Sequence, residues 1–409
     1  MRPSPNAMSA NTAAVPAQDT PRTRSPLIAN AVMHLVNDGC FVAIYPVLPL
    51  IATEYDLSYA QIGLLKTALT ASSSAFQLPM AILAERFGEI AMLALGMAWV
   101  ATGLMAVGLA ASFYSLLVLL FGAGLGGSVQ HPVASSFISR EYDGDRRGSA
   151  LGVLNFAGDV GKFIVPLVFA LSLTAYGWRS SLVGLGAVAL LFSLAFWLML
   201  RHKNPPRSIP RAATSSSSPV KGWGIQRPKT FGVILSMGIL DSSVRSALLT
   251  FIPFLLLNKG FAEVQAGLLL TIIFAGGAAG KLGCGMLADK LGTAPMIILT
   301  EALTGALILL LLPAGAWAIL PLLFCVGFFL NGTSSVLLDG VADLFDATKR
   351  SRGYGLYFTI YLGAGALGPI LYGVVGDAWT LTTVFVAMAV ASLAIVPLTG
   401  LYRMTYAAE

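Results

Sequence analysis

The chain has 409 residues, 56% of them hydrophobic and 11% charged, with a formal net charge of +6. A soluble domain carries roughly a quarter charged residues, so the composition argues against a water-soluble protein and for lipid as the solvent. The three cysteines, Cys40, Cys284 and Cys325, all fall in apolar runs and offer neither a zinc spacing nor a disulfide framework.

Residues 1–26 are rich in Pro, Ser, Ala and Thr without the apolar core of a signal peptide, and are expected to form a disordered tail. Twelve apolar runs follow. They lie near 27–51, 60–84, 90–110, 113–137, 148–175, 180–200, 230–257, 262–287, 294–312, 316–340, 353–375 and 380–402. Each is long enough to cross about 30 Å of hydrocarbon, where every backbone polar group must find its partner within the segment, so each is predicted to be a helix. Between the sixth and seventh runs, 201–229 is a basic, Pro- and Ser-rich linker with seven Lys/Arg and no acid. Residues 403–409 are expected to be a second tail.

Lys and Arg set the orientation. With the N-terminus inside, the inner tails and loops carry 19 of the 25, the outer loops carry only Arg179 and Lys259, and four lie within spans. This asymmetry predicts two cytoplasmic termini. The two halves, 27–200 and 230–402, are also related. A shift of 204 residues lays Gln61–Gly88 on Gln265–Gly292 with eleven of 28 positions identical, and sets Pro49 on Pro253. Two parallel copies of a six-helix unit around a midplane site suit an alternating-access transporter.

The turn Gly285-Met286-Leu287-Ala288-Asp289-Lys290-Leu291-Gly292 resembles the signature loop of the major facilitator superfamily. Its first-half copy, Ala81 to Gly88, departs from it in having Glu85 for the aspartate and Ala81 for the leading glycine. Three further segments are similar to the fosmidomycin-resistance group: His34-Leu35-Val36-Asn37-Asp38 with Tyr45-Pro46, Leu57-Ser58 with Gln61-Ile62-Gly63, and Gly126 to Pro132. The resemblance implies an all-α membrane protein with twelve transmembrane helices in two pseudo-symmetric bundles. It also implies proton-driven export of a small anionic or amphiphilic compound, and gating by Glu85, Arg86, Asp289 and Lys290. The Gly-Pro motif expected of antiporters in the fifth helix is degraded here to Gly158, Gly161 and Pro166.

Ionisable residues at membrane depth cost about 2.5–3.5 kcal/mol each on insertion scales and therefore mark function. Asp38, with His34 one turn away, is the expected coupling acid, and Asp159 and Asp241 are further proton-coupling candidates. Lys162, three residues from Asp159, and Arg245, four from Asp241, sit at salt-bridge spacing. Each pair either neutralises itself or holds a cation ready for an anionic substrate, Arg245 through the paired donors of its guanidinium. Lys66, His131, Asn37, Tyr45 and Tyr361 complete the expected substrate-binding set. Lys66 lies near the outer end of its span, where it either snorkels to the interface or binds substrate. Tyr354, Tyr357 and Tyr361 share a helix face that lines the cavity or packs. Spans 3, 6 and 12 carry no charge at depth, and only Glu301 in span 9 departs from the expectation that outer helices face lipid.

The expected partners are a small anionic molecule, protons and the bilayer of a bacterial inner membrane. No nucleic acid, metal or cofactor is expected, and the protein is expected to act as a monomer. Uptake or exchange of an organic anion remains the alternative to export. A receptor would not need the duplication. An enzyme would need a nucleophile–base pair or a metal cluster, for which three histidines outside any metal motif give little support.

Overall fold

The computed structural model describes residues 25–142, 145–203, 225–342, 344–345 and 350–409. The expected tail up to 24, the linker core 204–224, and basic positions such as Arg207, Lys221 and Lys349 lie outside the described residues. So do the side chains of Arg146, Arg147, Asp339, Arg352 and Tyr354.

Among the described residues the chain is helical, with one isolated bridge between Ile225 and Phe345. The helices are α1 (Ser25–Val42), α2 (Leu48–Tyr55), α3 (Tyr59–Ala75), α4 (Gln77–Phe87), α5 (Glu89–Gly108), α6 (Phe113–Gly127) and α7 (Gln130–Glu141). They continue with α8 (Asp145–Leu200), α9 (Pro228–Asn258), α10 (Glu263–Leu291), α11 (Thr293–Leu311), α12 (Ala316–Ala342), α13 (Arg350–Ala378) and α14 (Leu381–Ala408).

These fourteen helices make the twelve expected spans. Gly177, at φ 70° and ψ 167°, divides α8 into spans 5 and 6. Conversely, α1 with α2, α3 with α4, and α6 with α7 are single spans broken midway. Proline explains all three breaks. A proline ring clashes with the carbonyl four residues earlier and has no N–H to bond it. Pro46, Pro79 and Pro132 thus act at Val42, Ala75 and Ser128, which are the points where α1, α3 and α6 give way. Pro166, Pro253, Pro321, Pro369 and Pro397 are carried inside unbroken helices. Residues 403–408 of the expected tail extend α14 instead, and the carboxylate of Glu409, just past its end, accepts from the backbone N–H groups of Lys229 and Thr230 at the start of α9.

The duplication is visible in local geometry. Gln61 and Gln265 each accept the N–H of the residue three before them, at the starts of α3 and α10. Gly88 and Gly292, which end the paired signature loops, stand at φ 91° and 87°, a region that a residue with a Cβ enters only under strain. The two cations expected in outer loops, Arg179 and Lys259, make matching contacts. Arg179 Nη1 donates to the carbonyls of Gly108 and Ala110 at the end of α5, at 3.2 and 2.6 Å. Lys259 Nζ does the same for Leu312 and Ala314 after α11, at 2.7 and 2.9 Å. Each cation thereby closes a helix C-terminus, where carbonyls lack partners and the dipole is negative.

The halves meet along two seams, α3 against α13 and α8 against α10. At the end away from the termini they are closed. Gly63 lies against the Pro369 backbone and Gly373 against that of Tyr59 and Ala60, contacts with no room for a Cβ. Thr67 Oγ1 donates to Ala366 O at 2.7 Å, and the Asp377 carboxylate accepts from the N–H groups of Tyr59 and Ala60 at 2.7 and 3.0 Å. Toward the end bearing the termini, α4 and α7 pack chiefly within their own half. Between the halves lies a cavity.

Candidate functional site

The cavity has a volume of about 600 Å³ and takes walls from both halves, including Tyr45, Asp159, Lys162, Arg245, Lys281 and Tyr361. Two charged networks reach it.

The first runs between the halves. The Asp38 carboxylate, 3% exposed, receives Lys162 Nζ at 3.0 Å and the Nε2 atoms of His34 and His131 at 3.5 and 3.8 Å. Asn37 Nδ2 also donates to Asp38 Oδ1, at 3.3 Å. Lys162 lies 3.3 Å from Asp159, as the spacing of three predicts, but bridges to Asp38 as well. Asp159 in turn accepts Lys281 Nζ from α10 at 2.6 and 2.8 Å. The result is an alternating series, Asp38–Lys162–Asp159–Lys281, that begins in span 1 and ends in span 8.

Close backbone packing makes this possible. A Cβ on Gly161 would meet the backbone of Leu35, and one on Gly158 would meet the side chains of His34 and Asp38. The small residues of span 5 therefore let span 1 approach within reach of Lys162. The ligand atoms of His34, Asp38 and His131 fall within 4.8 Å of one another, close enough for a metal ion to bridge. Lys162 already brings a positive charge to that carboxylate, which would repel a cation.

The second network belongs to the C-terminal half. Arg245 Nη2 donates to Asp241 Oδ2 at 2.5 Å, and the Tyr361 hydroxyl donates to the same oxygen at 2.9 Å. The rings of Tyr357 and Tyr361 stack with centroids 5.6 Å apart. Asp241 Oδ1, Arg245 Nε and the Tyr357 hydroxyl are buried without a hydrogen-bond partner.

Other expected residues stand apart. Lys66 is 3% exposed, its ammonium 4.5 Å from the centre of the Tyr45 ring, so it does not snorkel to the interface. It forms no part of the cavity wall, although Tyr45 does. His131 has half of its side chain exposed, with its ring edge-on to His34 at 5.0 Å. Glu85, Arg86, Asp289 and Lys290 are all exposed and form no salt bridge among the described residues. Their neighbour Glu89 is the engaged acid there, buried with Arg140 Nη2 at 2.7 Å and the Ser136 hydroxyl at 2.8 Å.

Sequence reasoning gave Lys281 no place in the site. Its link to Asp159 spans 122 residues and leaves no trace in local spacing.

These features define a class: a multi-pass helical membrane protein of two related bundles around a charged interior cavity, the build of a small-molecule transporter. The model of the Major Facilitator Superfamily matches residues 31–262 and 234–408, and the chain belongs to that superfamily. It is 27% identical over 364 residues to the fosmidomycin resistance protein of Escherichia coli (strain K12), covering 87% of each chain. It is also 27% identical over 351 residues to the probable sulfoacetate transporter of Cupriavidus necator, covering 80% of each. Its fold matches the crystal structure of a bacterial homolog to the human lysosomal transporter Spinster, with a TM-score of 0.75 at 18% identity over 95% of this chain and 97% of that one.

Proposed function

We propose that this chain is a proton-coupled transporter of a small organic anion, working by alternating access across a bacterial inner membrane with both termini in the cytoplasm. The observation that carries this reading is the alternating series Asp38–Lys162–Asp159–Lys281, which runs from buried Asp38 to the cavity wall at Lys162, Asp159 and Lys281, with Arg245 on the same wall.

In the empty site each cation rests on a carboxylate. A proton on Asp38 removes that carboxylate's hold on Lys162 and frees the ammonium for an anion. An anion on Lys162 or Arg245 in turn leaves Asp159 or Asp241 without its counter-ion, a costly state in a poorly solvated site that favours proton uptake. Proton and anion thereby assist each other's binding, and by linkage the assistance is reciprocal. Asp38, His34, Asp159 and Asp241 handle protons in this scheme. Lys162, Arg245, Tyr45 and Tyr361 face the substrate from the cavity wall, His131 and Asn37 act through their contacts with Asp38, and Lys66 acts through the Tyr45 ring. The signature-loop charges Glu85, Arg86, Asp289 and Lys290 lie toward the open end, where they would meet partners as the cavity closes.

Two directions of transport have support. Export is favoured by the likeness to the fosmidomycin resistance protein. Uptake is favoured by the site, because a proton and an anion that bind together travel together, and an inward proton gradient then drives the anion in.

Fosmidomycin tolerance of a sensitive bacterium expressing the protein separates them. Raised tolerance, lost in Asp38→Asn, supports export, and raised sensitivity, lost in the same variant, supports uptake. An unchanged phenotype with protein confirmed in the membrane removes fosmidomycin as a substrate. Proton-driven accumulation that persists in Asp38→Asn would overturn the coupling assignment.

A further inference from the structure

Glu301 is an acid on α11 that neither the cavity nor the ion-pair series uses. It is 2% exposed, in a helix whose other polar side chains are threonines. Glu301 Oε2 accepts a short hydrogen bond of 2.5 Å from the Ser392 hydroxyl on α14. On its other side the carboxyl faces Asp241 on α9 within hydrogen-bonding reach. Asp241 is itself 2% exposed, with both donors, Arg245 and Tyr361, spent on Oδ2. Its Oδ1 is buried and receives no donor.

Two ionised carboxylates cannot sit in contact in a buried site, and a buried carboxylate oxygen without a donor is itself costly. One proton resolves both. Placed on Glu301, it donates to Asp241 Oδ1, while Oε2 keeps the bond from Ser392. The remaining groups around the pair are consistent with a single net negative charge: the Arg245 guanidinium on α9, the neutral hydroxyls of Tyr357 and Tyr361 on α13, and Thr333 on α12. Lys281 on α10 faces Arg245 and is held by Asp159.

We infer that Glu301 and Asp241 form a carboxylic acid–carboxylate pair that holds one proton at neutral pH and takes a second when Arg245 is drawn away by an anion. This deepens the proposed function by placing a proton site in the C-terminal half, one contact from the substrate cation. The proton content of the pair depends on the geometry alone and is measurable without transport. The balance is simple: one proton enters from cavity water when Arg245 leaves Asp241, and one returns when Arg245 comes back.

The test is infrared titration of the full-length protein in lipid nanodiscs, where a protonated carboxylic acid absorbs apart from a carboxylate. Wild type is expected to show a buried protonated-acid band at neutral pH. Glu301→Gln should lose that band, because the amide donates to Asp241 Oδ1 and still accepts from Ser392. Thermal melting confirms that this near-isosteric variant is folded. Arg245→Gln imitates the anion-bound state and should raise the band about twofold, as Asp241 neutralises once its counter-ion is gone.

No such band in wild type, or a band of unchanged strength in Glu301→Gln, would overturn the pair. An unchanged band in folded Arg245→Gln would overturn the link to Arg245. None of these results bears on Asp38, so failure here and failure of the transport reading are distinguishable.

Discussion

Lys162 shows how much one side chain carries. It is the shared partner of two carboxylates, Asp38 at 3.0 Å and Asp159 at 3.3 Å. Removing it leaves Asp38 with only histidine and amide contacts, and breaking a buried pair from one side costs about 3–5 kcal/mol. Lys162→Met is therefore expected to lower the free energy of unfolding by that order in detergent. Asp38→Asn added to it should restore part of the loss, a coupling that a double-mutant cycle reads directly. The sequence exposes part of this site and conceals the rest. Charges at membrane depth stand out in an apolar chain, which is why Asp38, Lys162 and Arg245 were legible. The choice of partner was not. The spacing of three pairs Lys162 with Asp159, while the shorter contacts, Asp38 to Lys162 and Asp159 to Lys281, join different helices. Glu301 was legible only as an exception. What explains it is Asp241, 60 residues earlier in the chain.

Among the elements, the signature loops and the turn at Gly177 illustrate two ways of fixing a helix end. Gly292 holds φ 87°, so Gly292→Ala should cost about 1–3 kcal/mol in stability, with the matching substitution at Gly88 costing a similar amount. Equal stability of the alanine variants would show that the loop relaxes to another conformation. The Gly177 turn is tied by side chains instead. Just past it, Trp178 Nε1 and Arg179 Nη2 donate to Glu54, at 2.8 and 2.6 Å. Glu54 lies beyond the apolar run 27–51, and the Arg179 hydrogen bonds hold its carboxyl below the usual glutamate range. A carboxylate lowered in the folded state contributes stability above its unfolded value and loses it as pH falls through the folded one. Both partners are over a third exposed, so the contribution is under about 1 kcal/mol. Glu54→Gln should accordingly lower stability slightly at neutral pH and change nothing in strong acid. Helix existence was readable from hydropathy. The mid-span breaks were readable only through Pro46, Pro79 and Pro132, because a hydropathy run passes over an interruption of a few residues.

For the whole molecule, the duplicated sequence is the most informative signal, since it announces two bundles and a shared interior before any helix is placed. It does not say which end is closed. That is decided by contacts such as Asp377, which binds the first N–H groups of α3 from the opposite half. Hydrogen bonds to a charged group are worth about 1.5–3 kcal/mol, and 1.4 kcal/mol is a factor of ten in an equilibrium. Asp377→Ala should hence raise opening at this end by about tenfold or more, read as faster labelling of a Thr67→Cys reporter by a water-soluble thiol reagent. An unchanged rate would mean that the glycine seams alone hold the closure. The duplication also leaves chemistry unequal: the 204-residue shift repeats the signature-loop charges but sets Asn37 on Asp241 and Asp38 on Ser242, so neither half repeats the other's charges at the site.

The same shift sets Pro46, Pro79 and Pro132 on Thr250, Gly283 and Val336, and the corresponding helices of the second half run unbroken. A rod interrupted at mid-length bends under less load than a continuous one. The first bundle therefore has three compliant joints and the second behaves as a stiff frame. In any rocking cycle the elastic deformation concentrates in the first bundle, around Ala43, Phe76 and Val129, while the second moves nearly as a rigid body. Backbone amides at those joints should exchange with deuterium faster than their counterparts 204 residues on.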